Sequence, residues 1–375
     1  MSKKLKVTVS TCGTSLLTNK ATLEERDFLR ENANKKEEDY SPSDATRLKE
    51  LAEKKRQMLL EEKDEAKIRR LSAELNGFIG CYRRDGDLSD ARRDDHYLIC
   101  TDTFQGHLAA EIIEEWGRSR DINMNVLPIE DLNAHSMDSF QLGIANLAKW
   151  CSETLPGYRN SHHVLFNMVG GFKSLQGYMQ TLGMFYADEI IYIFESGEEI
   201  LSIPRLPMDL DQSVKSSIEQ NLSIVRRLQW ISLSVKDCPK LPEVMLTVMD
   251  DECTLSVWGE LMLDKFKDDL YRVKLLPPPL DCIRYSEATE SAVVDMAHDK
   301  KILVNRRIDD LARYLELDHN IARLDFKPLK GDPKPPSTHE FDLWSIEDAW
   351  RGFCHYEDEG GKRILVIDSM GKGLH

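Results

Sequence analysis

The stretch FNMVGGFKSLQGY, Phe166–Tyr178, decides the reading of the first half of the chain. The apolar run HHVLF leads into it. Gly177, Met179, Leu182, Met184 and Phe185 follow, apolar or small at helical spacing. Together they predict strand, glycine turn, helix. Gly170 and Gly171 permit positive φ and close approach to the backbone. The helix would offer its free N–H groups and the positive end of its dipole to an anion, and Lys173 adds a charge. Asn167 carries both a donor and an acceptor, suited to a base edge or a ribose hydroxyl.

The same pattern recurs on both sides of this stretch. Leu5–Ser10 reads as a buried strand that ends in the polar turn Thr11–Ser15. Tyr97–Trp116 reads as strand, polar turn and helix. Val126–Ile129 and Ile190–Glu195 read as strands and Phe140–Thr154 as a helix. Parallel strands alternating with helices predict a doubly wound α/β sheet, which binds ligands at the carboxyl ends of its strands. Three polar turns lie at such ends. One supplies Ser10, Thr11, Gly13, Thr14 and Ser15, the second Thr101, Asp102, Thr103 and Gln105, and the third Asn167, Gly170, Gly171, Phe172 and Lys173. They suit a phosphate-bearing ligand with several hydroxyls. Neither G-x-x-x-x-G-K-[ST] nor G-x-G-x-x-G with a following acid occurs, so ordinary ATP or NAD binding is disfavoured.

The 375 residues leave room for two or three domains. A formal charge of -15 argues against a surface that binds polyanions everywhere and restricts any nucleic-acid site to a local patch. No run reaches membrane-spanning length and the basic start lacks a signal core, so a cytoplasmic protein is expected. The eight cysteines show no C-x-x-C pair and no metal-ligand spacing, which predicts reduced thiols and no structural zinc.

Residues 21–76 are rich in Glu, Lys, Arg and Leu and predict one or two long charged helices, either a solvated hairpin or a docking arm. Residues 206–280 read as a mostly helical linker, closed by the stiff run Pro277–Pro279. From Cys282 a compact α+β domain of 281–375 is expected. Its elements are the strand CIRY, helices over 287–297 and 305–316, and the strands HEFDLW, WRGFCHY and RILVID. It holds five of the chain's ten histidines, at positions 298, 319, 339, 355 and 375.

With these motifs in place, residues 1–205 resemble the CARF domains of type III CRISPR effectors. The resemblance rests on STCGTSLL on the first strand followed by N-x-x-GGFK. LSVWGELML, Leu255–Leu263, resembles a segment that follows the sensor in relatives. The resemblance implies a Rossmann-like homodimer with 21–76 as a helical insertion. It would bind a cyclic oligoadenylate as allosteric activator on its two-fold axis, with four bases the favoured ring size and six the alternative. Some members slowly cleave their ligand, a role in which Ser10, Thr11, Thr14 and Lys173 would position a ribose hydroxyl. Residues 281–375 resemble the RelE/ParE toxin superfamily through CIRYSEATESAVVDM, RIDDLARYLE, FKPLKG and the paired strands ending in G-K. That implies a metal-independent ribonuclease that cuts mRNA in the ribosomal A site. Arg351 would then clamp phosphate, Lys327, Lys330 and Lys372 would hold RNA, and His375, His355 or Tyr356 would be the acid/base, with His339 a further candidate. His355 and Tyr356 alternate on a strand, so at most one of them faces a given site.

The sequence departs from that family where Glu340 and Asp342 replace basic residues and where Gly373 follows G-K. The alternative is that Arg351 serves as a structural partner of Asp342 or Glu340 on a neighbouring strand and the domain only binds. A fusion of the two families resembles the CRISPR-Cas-associated mRNA interferases, and the 21–76 helices would recruit the ribosome through its stalk. The competing expectation is a CARF-containing transcriptional regulator that binds DNA through a winged helix in 206–280.

Overall fold

The computed structural model describes residues 4–159, 161–194, 199–206, 211–238, 240–330, 334–344 and 349–373. Two compact units divide the chain, residues 1–208 and residues 209–375.

Unit 1 has strands β1 (Leu5–Cys12), β2 (Asp95–Thr101), β3 (Met124–Ile129), β4 (His162–Asn167), β5 (Glu189–Ile193) and β6 (Ile200–Pro204) in one sheet. The order is β3-β2-β1-β4-β5-β6. The first five strands are parallel, and β6 runs antiparallel on the β5 edge. β1 is buried from Lys6 to Cys12, as a central parallel strand covered on both faces must be. The chain leaves β1 first to one side and later to the other, so the switch point lies between the carboxyl ends of β1 and β4. The edge strand β6 escaped the sequence reading because ILSIP is short and ends in proline.

The β1–β2 connection carries five helices: α1 (Ser15–Thr18), α2 (Leu23–Glu31), α3 (Pro42–Glu61), α4 (Glu65–Leu71) and α5 (Ala73–Asp85). The expected one or two long helices are broken by caps. Thr22 opens α2 with a capping box, Ser41 and Pro42 open α3, and Ser72 caps α5. Nor is this segment a solvated hairpin. Leu48, Leu51, Ala52 and Leu59 of α3 are buried with Ile112, Ile113 and Trp116 of α6 (Phe104–Arg118). Lys55 is buried too, its ammonium reaching the Asn19 carbonyl, and Arg56 pairs with Glu115. α7 (Met137–Tyr158) and α8 (Lys173–Tyr186) pack together and on β3, β4 and β5. No helix among the described residues is long and apolar enough to cross a membrane.

Unit 2 opens with α9 (Gln212–Gln220) and α10 (Leu222–Arg227), then a three-stranded antiparallel sheet ordered β7-β9-β8. Those strands are β7 (Leu233–Ser234), β8 (Leu246–Met249) and β9 (Glu252–Leu255), and α11 (Val257–Tyr271) closes the segment. A mostly helical reading missed this sheet because its strands hold two to four residues each, too few for a period-two signal. The expectation of reduced thiols is corrected at one pair. Cys238 and Cys253 form a disulfide, placed by the β7–β9 pairing rather than by any spacing motif.

The remainder of unit 2 follows the expected order: β10 (Ile283–Tyr285), α12 (Glu287–Val294), α13 (His298–Leu317), β11 (Lys327–Pro328), β12 (His339–Trp344), β13 (Trp350–Glu359) and β14 (Lys362–Lys372). The sheet order is β10-β14-β13-β12-β11, with only β10 and β14 parallel. Val304, Ile308 and Leu311 of α13 cover one face of it. The triproline run is fastened inside this unit. Arg226, fully buried, donates to the Pro277 carbonyl and pairs with Asp309 at 2.6 Å, and Tyr271 also bonds Asp309. Asn305 accepts from the Leu276 N–H and donates to the carbonyls of Tyr271 and Lys274.

Candidate functional site

Two of the three polar turns meet at the switch point. The Thr11 hydroxyl donates to the Gly170 carbonyl at 2.7 Å, and a Cβ on Gly13 would lie 3.1 Å from the Gly171 nitrogen. Gly171 has φ +84°, which favours glycine. α8 starts at Lys173 with no side-chain cap, so Phe172 supplies no side-chain acceptor to its first N–H groups. Lys173 is exposed, Thr14, Ser15, Gly171 and Phe172 are half-buried, and the Phe172 ring packs 5.7 Å from Phe140 of α7. This rim is the part of the cradle open to a ligand.

Beneath the rim the expected ligand residues are spent on one another. Ser10, Thr11 and Asn167 are buried, and the Asn167 amide donates to the Ser10 hydroxyl and the Glu74 carbonyl. Burial, then the nearby Glu74 carboxylate, push the Cys12 thiol well above its usual range, so it is no nucleophile.

The remaining turn, after β2, is covered from within the chain. Thr101 and Thr103 share a hydrogen bond, and Thr103 caps α6. Buried Gln105 donates to the Leu29 carbonyl and the Tyr40 hydroxyl, while Asp102 pairs with Lys36 at 2.6 Å. That carboxylate raises the Lys36 pKa.

Glu74 escaped the sequence reading. It is the second residue of α5 and 1% exposed. One carboxylate oxygen accepts from the Gly13 N–H at 2.8 Å, the other from the Ser15 and Ser72 hydroxyls at 2.6 Å each. A Cβ on Gly170 would come within 2.3 Å of it. The first glycine of GGFK therefore makes room for an internal carboxylate. The only sequence signal was an acid two residues after the N-cap Ser72.

In unit 2, alternation along β13 sorts the candidates by face. Cys354 and Tyr356 join the core beside α13, whereas Arg351, Phe353 and His355 point to the opposite face. Tyr356 is thus apart from Arg351. It packs on His339, which stacks on Phe326, and Arg363 lies 3.7 Å from its ring centre. Burial, then Arg363, lower the His339 pKa.

On the opposite face Arg351 bonds Glu340 and lies 3.3 Å from Asp342. Lys327 bonds Asp325 and approaches Glu340 at 3.9 Å. Lys330 and Lys372 are exposed. His375 lies outside the described residues, as does Gly331 of FKPLKG. Four residues along the strand, roughly 13 Å from Arg351, the His355 ring is held at Nδ1 by Asp368 at 2.8 Å, and its Nε2 meets Glu357 at 3.1 Å. Asp368 also accepts from Ser337 at 2.7 Å. Burial lowers the His355 pKa, but hydrogen bonds to the two carboxylates outweigh it and leave the value raised. Asp368 was legible only as a lone acid inside the apolar run RILVIDSM.

Residues 69–206 match the family described as CRISPR-associated protein (Cas_APE2256). That match supports a CRISPR-associated protein. It covers α5 through β6, including the GGFK turn and Glu74. No curated protein matches this chain in sequence.

Proposed function

We propose that this chain is an ancillary effector of a type III CRISPR system. Unit 1 works as a homodimer that senses cyclic oligoadenylate, with tetra-adenylate as the activator. Unit 2 is a RelE-like, metal-independent endoribonuclease that cuts mRNA on cytoplasmic ribosomes and halts translation. One observation carries the reading. The CRISPR-associated match takes in β2 through β6 and the β4 side of the switch point, which bears the GGFK turn, an uncapped helix start and an exposed Lys173.

In the cleavage step a ribose 2′-hydroxyl loses its proton to water, its oxygen attacks the adjacent phosphorus, and the bond to the 5′-oxygen breaks. The products are a 2′,3′-cyclic phosphate and a 5′-hydroxyl. Arg351 exchanges its carboxylate partner for the phosphate and stabilises the charge that develops. His355, on the same strand face and oriented at Nδ1 by Asp368, gives the proton to the leaving oxygen once its Nε2 exchanges Glu357 for that oxygen and the Arg351 side chain extends along the strand toward it. The exposed Lys330 and Lys372, with Lys327, attract the backbone. The outer surface of α3 remains the proposed ribosome-docking face, tested by surface substitutions, because deleting 21–76 would strip the core of unit 1.

The DNA-binding alternative finds less support. Between β7 and β8, where a winged helix carries its two-helix motif, the described residues form a single 3₁₀ turn, Glu243–Met245. Titration calorimetry of the full chain with cyclic tetra-adenylate tests the sensor half. One ring per two chains, weakened by Lys173→Glu, is expected. Absence of binding together with a ligand-independent DNA gel shift would replace this reading with the regulator.

A further inference from the structure

We propose that Glu74 is a specificity-determining residue of the cradle. Its buried charge makes the seat accept singly charged phosphodiesters and reject a terminal phosphomonoester. The inference rests on the reading of unit 1 as an oligoadenylate sensor and names which phosphates that sensor tolerates.

Among the described residues the partners of Glu74 are a backbone N–H and two hydroxyls, and none is a cation. Ser15 is locked from both sides, because its oxygen also accepts from the Ala73 N–H at 2.9 Å. The carboxylate is therefore fixed and desolvated, and its negative charge is not cancelled by a neighbouring ion. It occupies donors of the β1 turn that a phosphate would otherwise use. It also lies against the wall of the β4–α8 turn, as the 2.3 Å approach to a Cβ on Gly170 demonstrates. A ligand phosphate on the rim meets one favourable side-chain charge, Lys173, and one unfavourable charge behind the glycine.

That balance treats phosphates differently by charge. A diester carries one negative charge, whereas a terminal phosphate carries about 1.5 to 2 at neutral pH. Repulsion from a fixed carboxylate grows in proportion, and a partly buried setting screens it poorly. A closed ring of diesters therefore meets a smaller penalty at each phosphate than a linear chain meets at its phosphorylated end.

The test compares three ligands on the full chain by titration calorimetry: cyclic tetra-adenylate, linear tetra-adenylate, and linear tetra-adenylate with a 3′-phosphate. The terminal phosphate is expected to weaken binding to the wild type roughly tenfold or more relative to the unphosphorylated chain. In Glu74→Gln that penalty shrinks to less than about threefold, and affinity for the ring rises by the smaller factor that one charge per phosphate implies. Equal binding of the two linear forms by the wild type, or an unchanged penalty in the variant, overturns the proposal. Thermal melting reports whether Glu74→Gln folds. If it does not, the wild-type penalty is measured at about 0.01 M and about 1 M salt, where a charge effect must shrink; a constant penalty overturns the proposal. If the wild type binds none of the three, the sensor reading itself fails and takes this inference with it.

Discussion

In unit 1 the carboxylate of Glu74 is held by a backbone N–H and two hydroxyls, whereas in unit 2 the carboxylates of Glu340 and Asp342 are held by the Arg351 guanidinium. Both arrangements put an acid beside groups that suit a phosphate. Their consequences differ. Neutral donors around a 1% exposed acid leave a fixed negative charge, which shapes what can bind nearby. Glu340 is buried as well, but its partner Arg351 is a cation, which can trade one oxyanion for another because its own charge remains when the carboxylate is displaced. The first acid acts as a filter and the second as a placeholder.

Four perturbations test this contrast. Arg351→Ala removes the cation that does the trading. Ribosome-dependent cleavage should fall by roughly 10²–10³-fold, about 2.7–4 kcal/mol of transition-state stabilisation. Primer extension on transcripts from a translating extract measures it, and wild-type cleavage in the variant would remove Arg351 from the site.

Gly170→Ala attacks the fixed side. The new methyl meets Glu74 at 2.3 Å and the Thr11 carbonyl oxygen at 2.6 Å, so overpacking should cost about 1–3 kcal/mol in chemical denaturation. Gly177→Ala, with nothing within 4 Å, serves as the control and should be no less stable than wild type. Equal midpoints for the two variants would mean that Glu74 is not packed against this turn.

Glu340→Gln weakens the placeholder without emptying it. Arg351 then exchanges more easily for phosphate, and apparent affinity for RNA should rise roughly fivefold, about 1 kcal/mol. Fluorescence anisotropy with a short single-stranded RNA reads the change, and weaker binding would show that Glu340 orients Arg351 instead.

The smallest effect is a pH dependence. His355 has a folded-state pKa above its ordinary value of about 6.5 because the bonds to Asp368 and Glu357 outweigh burial. The stability it contributes is therefore fully present below that ordinary value and is lost as pH rises through the raised folded value. Denaturation midpoints measured from about pH 6 to about pH 9 should decline in the wild type and decline less in His355→Asn. Parallel curves would disprove the linkage.

The strand–turn–helix units were legible because each couples a short apolar run to a glycine or hydroxyl turn and then to a 3.6-residue period. Those local signals also placed the β4 turn at the end of its strand. What the sequence did not disclose was occupancy. Ser10, Thr11 and Asn167 have the right chemistry for a ligand, yet contacts far apart in sequence bury them together. Gln105 looked like a ligand residue for the same reason and serves the fold by tying α6 to Leu29 and Tyr40. Charged composition at 21–76 suggested an outer arm, but only one face of α3 is charged and the other is core. The alternation that separates Arg351 and His355 from Tyr356 was available from spacing alone. The pairing of Arg351 with Glu340 followed from strand register, which needs the neighbouring strand.

The most direct measurement is a map of mRNA 5′ ends from a translating extract given the wild-type protein with and without cyclic tetra-adenylate. The account predicts new ends within codons at the ribosomal A site that appear only with the ligand. Ligand bound by the protein with no new ends would contradict the central claim.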